Sequence, residues 1–539
     1  MPLPAKIKLL RTARAALGRH AQALADLSAI RKGHDPHANA AGEEWMLGPW
    51  AAAYGMTTLL STLETLARDE TPRLRTRRRA DGRLATQVFP TNAFENLLVH
   101  GLIVEVLTPP GAPHITHIQP HENSPGAIAL VLGAGNVVSI PILDTLHKLY
   151  AENQVVLLKM NPVNDYAGPL IEQILAPYID AGFLRLVYGD AAVGAAAVQH
   201  PAIDEIHITG SARTHDAIVF GSGADGAQRK ARGEALLNKR ITSELGGVSP
   251  VIVVPGNPGD WTAADFHFQA ENIVSQRVVH NGYNCCSSQV LVLPQGWSGN
   301  EPLLNEIRRL LRELPARAPY YPGSAERGHA ALQAHPHAER FDHDPLRALI
   351  TNLDPNAPQH AFVEEAFCPV LAQTALPAPD VPTYLRNAVR FANEKLSGTL
   401  SATLLIDPRT ARTHATALDA AIDELRYGSI GVNIWGAGGF LLPGAAWGAH
   451  PGHTIHDIGS GIGMVHNAYL IRDAQKTVMR ASFREMPRAW RHGAFSLMPK
   501  PLWFITHRNA LEVAQRVTRF SLDPSWRHMP RLLAAALRA

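Results

Sequence analysis

The chain has 539 residues, a length that predicts two or three domains rather than one small core. Its residues are 46% hydrophobic and 18% charged, which is typical of a folded globular protein and excludes a disordered one. The net charge of +3 is too close to balance to favour nucleic acid as the main partner, and we expect no integral membrane span.

Residues 1–95 are predicted to be helical with a loop. Apolar residues recur at helical spacing over residues 13–30 and again over residues 45–67. The run Arg73-Leu74-Arg75-Thr76-Arg77-Arg78-Arg79 is the densest cluster of charge in the chain. We interpret this run as a solvated loop, with a site for an acidic partner or an oligomer contact as the alternative.

From about residue 97, short apolar runs alternate with helical patterns. The predicted strands cover residues 127–132, 155–158, 184–187 and 203–208. The predicted helices cover residues 140–151, 167–181 and 191–199, and another helix begins near residue 211. This alternation predicts an α/β domain over residues 96–243, with a parallel sheet that binds a ligand at the carboxyl ends of its strands.

The alternation restarts after Gly247. Strands over residues 251–254 and 289–293, with a helix over residues 263–279 between them, predict a second α/β domain spanning residues 244–435. Residues 436–539 are predicted to be a glycine-rich loop and a C-terminal extension. Glycines crowd the first part of this segment, which predicts a long loop that approaches another part of the protein or a ligand closely.

Cys285 and Cys286 are two of only three cysteines in the chain. Three cysteines do not make a disulfide framework, so we expect reduced thiols and a cytoplasmic protein. A cysteine is often only a small buried hydrophobe. The polar flanks, Asn281-Gly282-Tyr283-Asn284 before the pair and Ser287-Ser288 after it, instead favour a loop nucleophile.

Glu244 is the second candidate catalytic group. A solvent-facing glutamate is the plain alternative, but Gly246 and Gly247 follow it and allow a close approach of backbone and ligand. A thiol can capture a carbonyl carbon, and a carboxylate can activate the water that releases it. Together Cys285 and Glu244 indicate a dehydrogenase that works through a covalent thioester.

Three polar groups follow predicted strands of the first sheet. Gly133-Ala134-Gly135-Asn136 offers an amide that could donate to an oxyanion, although a turn asparagine is the alternative. Lys159 could reach a ribose or a phosphate, or lie on the surface. Thr209-Gly210-Ser211 lets a pyrophosphate approach the amino end of a helix, and Ser211 could equally be an ordinary N-cap.

In this order, the motifs resemble those of the aldehyde dehydrogenase superfamily. Ile208-Thr209-Gly210-Ser211 is similar to its Phe-Thr-Gly-Ser turn, and Glu244-Leu245-Gly246-Gly247-Val248-Ser249-Pro250 is similar to its glutamate motif. Glu364-Glu365-Ala366-Phe367-Cys368-Pro369-Val370 is similar to its Glu-Glu-x-Phe-Gly-Pro-Val segment, with Cys368 in place of glycine. The resemblance covers about residues 97–465.

The resemblance implies a fold and a set of roles. The fold would be a Rossmann-like parallel-sheet dinucleotide-binding domain plus a second α/β catalytic domain, in a homo-oligomer. Cys285 would be the nucleophile, Glu244 the general base and Asn136 the oxyanion donor, acting on a small-molecule aldehyde without a metal. The cofactor would be NAD or NADP, bound by Lys159, Thr209, Gly210, Ser211, Leu245, Gly246, Glu365 and Phe367.

The chain departs from the superfamily pattern near the cysteine. Asn281-Gly282-x-x-Cys285 is more similar to the CoA-acylating aldehyde dehydrogenases and acyl-CoA reductases, and a different alignment would make Cys286 the thiol. Pro162 stands where many NAD-preferring members place an acid, so NADP remains open. The expected reaction is oxidation of an aldehyde to a carboxylic acid. Acyl transfer to or from CoA and a non-catalytic scaffold are the alternatives.

Overall fold

The computed structural model describes residues 2–112, 126–341, 344–492 and 496–538. Its strands form two large sheets and one small antiparallel pair. In chain order the strands are β1 Arg75–Arg78, β2 Leu84–Phe89, β3 Ile103–Thr108, β4 Ile128–Leu132, β5 Val155–Lys159, β6 Leu184–Val187, β7 Glu205–Gly210, β8 Arg240–Leu245, β9 Ser249–Val253, β10 Ser288–Pro294, β11 Glu339–Phe341, β12 Asp344–Leu353, β13 Val370–Leu376, β14 Ser401–Leu405, β15 Ser429–Val432, β16 Ala446–Gly448, β17 Gly461–Ile462, β18 Met464–His466 and β19 Lys476–Arg480.

Helices cover both sheets and both ends of the chain. In chain order they are α1 Leu3–Arg31, α2 Gly42–Trp45, α3 Ala51–Leu66, α4 Ala93–Leu98, α5 Ile140–Tyr150, α6 Gly168–Asp180, α7 Ala191–Gln199, α8 Ala212–Phe220, α9 Gly223–Arg232, α10 Ala263–Val278, α11 Asn300–Glu313, α12 Ser324–Ala334, α13 His360–Val363, α14 Val381–Lys395, α15 Pro408–Thr413, α16 Ala415–Glu424, α17 Gly438–Leu441, α18 Arg488–Arg491, α19 Ala510–Leu522 and α20 Met529–Ala536. A π-helical turn, Met46–Trp50, joins α2 to α3 around Pro49, which has no amide hydrogen to donate.

The first large sheet has six strands in the order β17-β8-β7-β4-β5-β6. The five strands from β8 to β6 are parallel, and β17 pairs antiparallel with β8. The chain moves outward from β4 through β5 to β6, and then returns to the other side of β4 to form β7 and β8. The order therefore reverses between β4 and β7, the position at which open α/β sheets bind ligands. The predicted parallel sheet is confirmed.

The second large sheet has eleven strands in the order β1-β2-β3-β19-β15-β14-β9-β10-β13-β12-β11. Its central strands, from β19 through β15, β14, β9, β10 and β13 to β12, pair in parallel, as the predicted second α/β unit requires. The strand β19 comes from the predicted C-terminal extension and lies between β15 and β3. Strand β8, with Glu244 near its end, belongs to the first sheet, so the first sheet extends past the expected boundary at residue 243.

The prediction that the arginine-rich run is a solvated loop is wrong. Arg75–Arg78 forms β1, which pairs antiparallel with β2 and joins the eleven-stranded sheet. The side chain of Arg77 makes two hydrogen bonds of 2.9 Å to Glu105, and Arg79 donates to both oxygens of Asp423 at 2.7 Å. Cross-strand pairing and these carboxylates stabilise an extended segment that local composition alone indicated to be a loop.

The N-terminal helices pack on the first sheet's helices rather than standing apart from them. Leu10, Leu17 and Leu24 lie on one face of α1 and are completely buried. They share an apolar cluster with residues of α3, α5 and α6. The predicted helical segments at residues 13–30 and 45–67 are confirmed, and α1 extends further toward the N-terminus.

Within the described residues, no helix combines the length and the apolar character that a membrane span requires.

Candidate active site

A crevice of about 1420 Å³ lies at the carboxyl ends of the strands of the first sheet, between that sheet and the second. It is bordered by the turns after β4, β5 and β7, where the strand order reverses. Ten of the eleven residues assigned a role from the sequence line it: Asn136, Lys159, Thr209, Gly210, Ser211, Glu244, Gly246, Cys285, Glu365 and Phe367. Leu245 is the exception, because its side chain is buried and its N–H donates to the carbonyl of Ser460 at 2.8 Å.

Cys285 and Glu244 lie side by side in the crevice. The two side chains are close enough for each to shift the pKa of the other. Cys285 is half-buried and contributes to the crevice wall, whereas Cys286 is buried in an apolar cluster with Val279 and Trp435. The structure thus gives only Cys285 of the adjacent pair access to a ligand in the crevice.

The Glu244 carboxyl group and the Cys285 thiol both have raised pKa values, so each holds its proton to a higher pH than usual. Burial raises the pKa of Glu244 to about 7, and the nearby carboxylate of Asp144 adds to this effect. A hydrogen bond with Cys286, burial and the charge of Glu244 together raise the pKa of the Cys285 thiol well above its usual value. The surroundings of Cys285 therefore favour the neutral thiol over the thiolate. The thiol instead has a neighbouring carboxyl group that can exchange a proton near neutral pH.

Asn136 connects the turn after β4 to the loop that carries the cysteine. Its Nδ2 atom donates to the carbonyl of Tyr283 at 2.9 Å, two residues before Cys285. An amide nitrogen has two hydrogens, so one remains to donate to a ligand. The side chain is buried at the crevice wall, which is compatible with the role of an oxyanion donor. Its hydrogen bond to Tyr283 also fixes the turn after β4 to the cysteine loop.

The groups expected to meet a phosphate or ribose lie along the first sheet. Lys159 ends β5, and within the described residues its ammonium group makes no hydrogen bond or ion pair. Burial lowers the pKa of Lys159. Ser211 is the N-cap of α8, accepting from the N–H of Thr214 at 3.2 Å, so the plain interpretation is correct and still leaves the helix terminus facing the crevice. The hydroxyl of Thr209 donates to Asp144 at 2.8 Å and faces inward.

Glu365 and Phe367 form the opposite wall. A Cβ atom on Gly246 would lie 2.1 Å from Oε1 of Glu365, so only glycine leaves room for this carboxyl group. Burial raises the pKa of Glu365 to about 8. Phe367 has a φ of +43°, and its ring centroid lies 4.9 Å from that of Tyr321. The guanidinium of Arg327 lies 5.4 Å from the centroid of the Phe367 ring. Sequence reasoning missed Tyr321 and Arg327, because they lie in a stretch with no recognisable motif.

The glycine-rich segment covers the strand that carries Glu244. Gly461 pairs with Glu244 in the β17–β8 ladder and has a φ of +120°. A Cβ atom on Gly461 would lie 2.1 Å from the carbonyl oxygen of Ser243. The prediction that this segment makes a close approach is confirmed, and its target is the backbone of β8.

A buried charge network, missed by sequence reasoning, holds the loop before the nucleophile. Glu44 accepts from Lys32 at 2.7 Å and lies 3.0 Å from Nε2 of His280. Glu43 accepts the backbone N–H of His280 at 2.8 Å and two hydrogen bonds from Arg317. Lys32, Glu43, Glu44 and His280 are all buried. The only sequence signal was two adjacent acids inside an otherwise apolar helical run.

This network supports an unusual backbone. His280 and the next residue, Asn281, both adopt left-handed φ angles, of 52° and 55°. Residues other than glycine pay a cost of about 1–3 kcal/mol for such conformations unless the surroundings enforce them. Lys32 also donates to the carbonyl of Asn136 at 3.0 Å, so one lysine–glutamate pair connects the oxyanion turn with the cysteine loop.

Known proteins share both the sequence pattern and the fold. The aldehyde dehydrogenase family model matches residues 118–324. N-succinylglutamate 5-semialdehyde dehydrogenase of Sphingopyxis alaskensis is 28% identical over 196 residues, which are 36% of each chain. These matched segments, which cover less than half of the chain, are similar to aldehyde dehydrogenases. The chain spans about a third of the length of this curated relative.

Solved structures of superfamily members cover much more of the chain. Aldehyde dehydrogenase C of Pseudomonas syringae, solved with NAD+ and octanal, is 18% identical and covers 90% of this chain and 85% of its own, with a TM-score of 0.58. The NADP-dependent glyceraldehyde-3-phosphate dehydrogenase of Bacillus halodurans, solved with NADP, is 17% identical and covers 89% and 86%, with a TM-score of 0.56. At these identities the likeness establishes the fold, and the predicted α/β architecture is confirmed.

Proposed function

We propose that this protein oxidises a small-molecule aldehyde to a carboxylic acid, with NAD or NADP as the oxidant. The observation that carries the proposal is that the Cys285 thiol and the Glu244 carboxyl group line one crevice and shift each other's pKa. A thiol forms the covalent bond to the carbonyl carbon, and a carboxyl group with a pKa of about 7 exchanges protons at neutral pH. These are the two chemical functions that the reaction requires.

The residues of the crevice fit a dinucleotide. The crevice lies at the reversal of strand order and presents the N-terminus of α8, where a pyrophosphate gains hydrogen bonds and dipole stabilisation. Lys159 offers a cation that makes no hydrogen bond or ion pair with the described residues, and Oε1 of Glu365 is a buried oxygen that no described group satisfies. Ser211 would face the pyrophosphate, and Lys159 and Glu365 would hold the two riboses. The bound nicotinamide would supply the acceptor for a hydride.

The reaction then follows from the positions of the protein groups. Glu244, as the carboxylate, takes the proton from Cys285, and Sγ attacks the aldehyde carbonyl carbon. The free N–H of Asn136 donates to the oxygen that becomes negative. Loss of hydride from this carbon leaves a thioester on Cys285. Glu244 releases the thiol proton to solvent and becomes a carboxylate again. It next removes a proton from water, the hydroxide attacks the thioester carbon, and Sγ departs as the acid is released.

The most direct test is a panel of aldehydes with NAD or NADP, each with and without CoA. We expect reduced cofactor to form without CoA, because Glu244 can activate water beside the thioester. Strict dependence on CoA would replace this proposal by the acylating alternative that the Asn281-Gly282-x-x-Cys285 pattern keeps open. Failure to bind either cofactor in calorimetry would instead favour a non-catalytic scaffold.

Replacing Glu244 by Gln should separate the two halves of the reaction. The variant cannot deprotonate water, so we expect a burst of one equivalent of NADH or NADPH, followed by steady-state turnover reduced by about 10²–10⁴-fold. If Glu244 also takes the thiol proton, the burst should be slower at neutral pH and recover at high pH. Stopped-flow absorbance would measure both phases. Glu234→Gln, at an exposed ion pair with Arg232, is the matched control and should behave as wild type.

The pH dependence of turnover should report the raised pKa of Glu244. The carboxylate is the active form, so kcat should rise as the pH increases through about 7 and fall below that value. Glu244→Gln should lose this rise of kcat with pH. A rise of kcat near pH 4.5, the ordinary pKa of a glutamate, would contradict the assignment of Glu244 as the base.

A homo-oligomer remains part of the proposal, since the superfamily resemblance implies it and no contact in the structure tests it. Size-exclusion chromatography with light scattering would give the mass in solution, to be compared with 58.4 kDa for one chain. A single-chain mass at micromolar concentration would contradict this part of the proposal and leave the chemistry unaffected.

A further inference from the structure

A row of polar side chains extends from Glu244 along one face of the first sheet, and the proposed reaction steps use only Glu244 of this row. Alternate residues of β7 and of β8 face α5, and the register of the two strands sets them opposite one another. The row leads from the crevice toward the amino ends of the strands. In that direction its pairs are Thr209 with Glu244, His207 with Thr242, and Glu205 with Arg240.

Asp144, on α5, connects the Glu244 end of the row to His207. The Thr209 hydroxyl donates to Oδ2 of Asp144 at 2.8 Å, and Nε2 of His207 lies 3.5 Å from the same oxygen. Because neighbouring strands lie about 4.8 Å apart, the side chains of Glu244 and Thr209 are close neighbours. Oε1 of Glu244 and Oδ1 of Asp144 are buried oxygens that no described group satisfies. The four side chains thus follow one another along a buried path.

This path ends at His207. Its Nδ1 atom lies 2.9 Å from the Thr242 hydroxyl, and Lys148 donates to that hydroxyl at 3.1 Å and to Glu205 at 2.5 Å. An ammonium group has no lone pair, so Lys148 cannot take a proton from Thr242. When Nδ1 donates to Thr242, Nε2 of His207 has a lone pair that faces Asp144. His207 can therefore accept a proton and keep it.

The charges along the row favour one additional proton on His207. Besides Glu244, the row and the residues paired with it hold three carboxylates and two cations, which are Asp144, Glu205, Glu152, Lys148 and Arg240. One negative charge is therefore not compensated in a region where burial makes an unpaired charge costly. A proton on His207 compensates it.

The other titratable groups beside His207 do not compete for this proton. Burial raises the pKa of Asp144, but the charge of His207 outweighs burial and holds this pKa below its ordinary value. Asp144 is thus a carboxylate that passes a proton on and does not keep it. Burial lowers the pKa of His147, on α5, and lowers that of His466, on β18, to about 4, so both rings stay neutral.

We propose that His207 takes over the proton of Glu244 after Glu244 has deprotonated Cys285. The inference rests on the proposed function, in which Glu244 must lose this proton before it can activate water. Glu244 is only 3% exposed, and a cofactor in the crevice would cover it further. Glu244 gives its proton to the Thr209 hydroxyl as that hydroxyl gives its own to Asp144, and Asp144 gives this proton to Nε2 of His207. Glu244 is then a carboxylate again, and His207 is an imidazolium that loses its proton to solvent once the crevice opens.

His207→Gln should lower kcat by about 10–100-fold at pH 7 and leave the first equivalent of reduced cofactor, because Glu244 stays protonated beside the thioester. At about pH 9, well above the Glu244 pKa of about 7, hydroxide removes this proton, and the loss should shrink to less than about threefold. Stopped-flow absorbance would measure both phases. A histidine that only supports the fold would lower kcat equally at both pH values, and that outcome would overturn the inference. His335→Gln, at a buried histidine that ends α12, is the control and should behave as wild type.

A pair of Thr209 variants tests the path without altering His207, and decides the question even where His207→Gln does not fold. At saturating cofactor, Thr209→Val, which lacks the hydroxyl, should reproduce the pH-dependent loss. Thr209→Ser, which keeps it, should retain kcat within about threefold. Equal kcat of the two variants at pH 7 would overturn the inference. Aldehyde oxidation that His207→Gln leaves unchanged at pH 7 would overturn this inference alone, whereas no aldehyde oxidation by wild type would overturn the proposed function as well.

Discussion

Cys285→Ala should abolish turnover, lowering kcat by about 10⁴–10⁶-fold, because Cys285 is the only thiol among the described residues that line the crevice. The variant should keep its fold, since a half-buried thiol at the crevice wall contributes little to packing. It should also still bind the cofactor. Steady-state kinetics with the best aldehyde of the panel, together with calorimetric titration of NAD or NADP, would measure both quantities. Retention of full activity in Cys285→Ala would reject the nucleophile assignment.

Cys286→Ala is the matched control and decides between the two adjacent cysteines. The Cys286 side chain lies in the apolar cluster, so its removal should leave substantial turnover. Its hydrogen bond is the first cause of the raised pKa of Cys285, and that pKa should therefore fall in the variant. The pH dependence of alkylation by iodoacetamide would show reaction at lower pH than in wild type. Loss of activity in Cys286→Ala with activity retained in Cys285→Ala would transfer the role to Cys286.

Glu44→Ala should produce the largest loss of stability among the substitutions considered. Burial opposes the charge of Glu44, but His280 and Lys32 outweigh it and hold the pKa of Glu44 well below its usual range. Removing this carboxylate leaves two buried cationic or protonatable groups without their partner, a change that typically costs about 3–5 kcal/mol. We expect a lower urea midpoint of unfolding. Activity should fall further than stability explains, because the His280–Asn281 backbone loses its support.

Two comparisons make this prediction specific. Glu64→Ala breaks an exposed pair with Arg11 at 2.6 Å and should cost at most about 1 kcal/mol. Because the folded pKa of Glu44 is lowered, its contribution to stability is present above the unfolded value of about 4.5 and is lost as the pH falls below it. The difference in midpoint between wild type and Glu44→Gln should therefore narrow at acid pH. An equal urea midpoint of unfolding for Glu44→Ala and Glu64→Ala at pH 7 would show that the buried charge network contributes nothing to stability.

The first sheet was predictable because each of its elements carries its own local signal. Strands β4 to β7 are short apolar runs, and the intervening helices have apolar faces at helical spacing, so their bounds fell within about two residues of those observed. The residues that line the crevice follow from the same logic, since polar groups at the carboxyl ends of parallel strands must meet. The pairing of Glu244 with Cys285 could be predicted only from the superfamily motifs, because Glu244 lies in the first sheet and Cys285 precedes a strand of the second.

The parts that could not be predicted depend on contacts between distant segments. Nothing in Arg75–Arg78 favours a strand until β2 lies beside it and Glu105 accepts from Arg77. Glu44 meets His280 across more than two hundred residues of sequence, and neither has a neighbour that indicates the other. The raised pKa of Cys285 likewise results from burial and from Glu244, which the polar flanking sequence did not reveal.

The position of β19 has a consequence for the order in which the protein can form. The hairpin of β1 and β2, with β3, reaches the large sheet only through Lys476–Arg480, which pairs with β3 on one side and β15 on the other. A ribosome will therefore have released nearly five hundred residues before those early strands find their place. Until then β3 and β15 both present unpaired edges, which are surfaces prone to aggregation. Synthesis of this protein should depend on chaperones that shield nascent chains more strongly than its finished fold suggests.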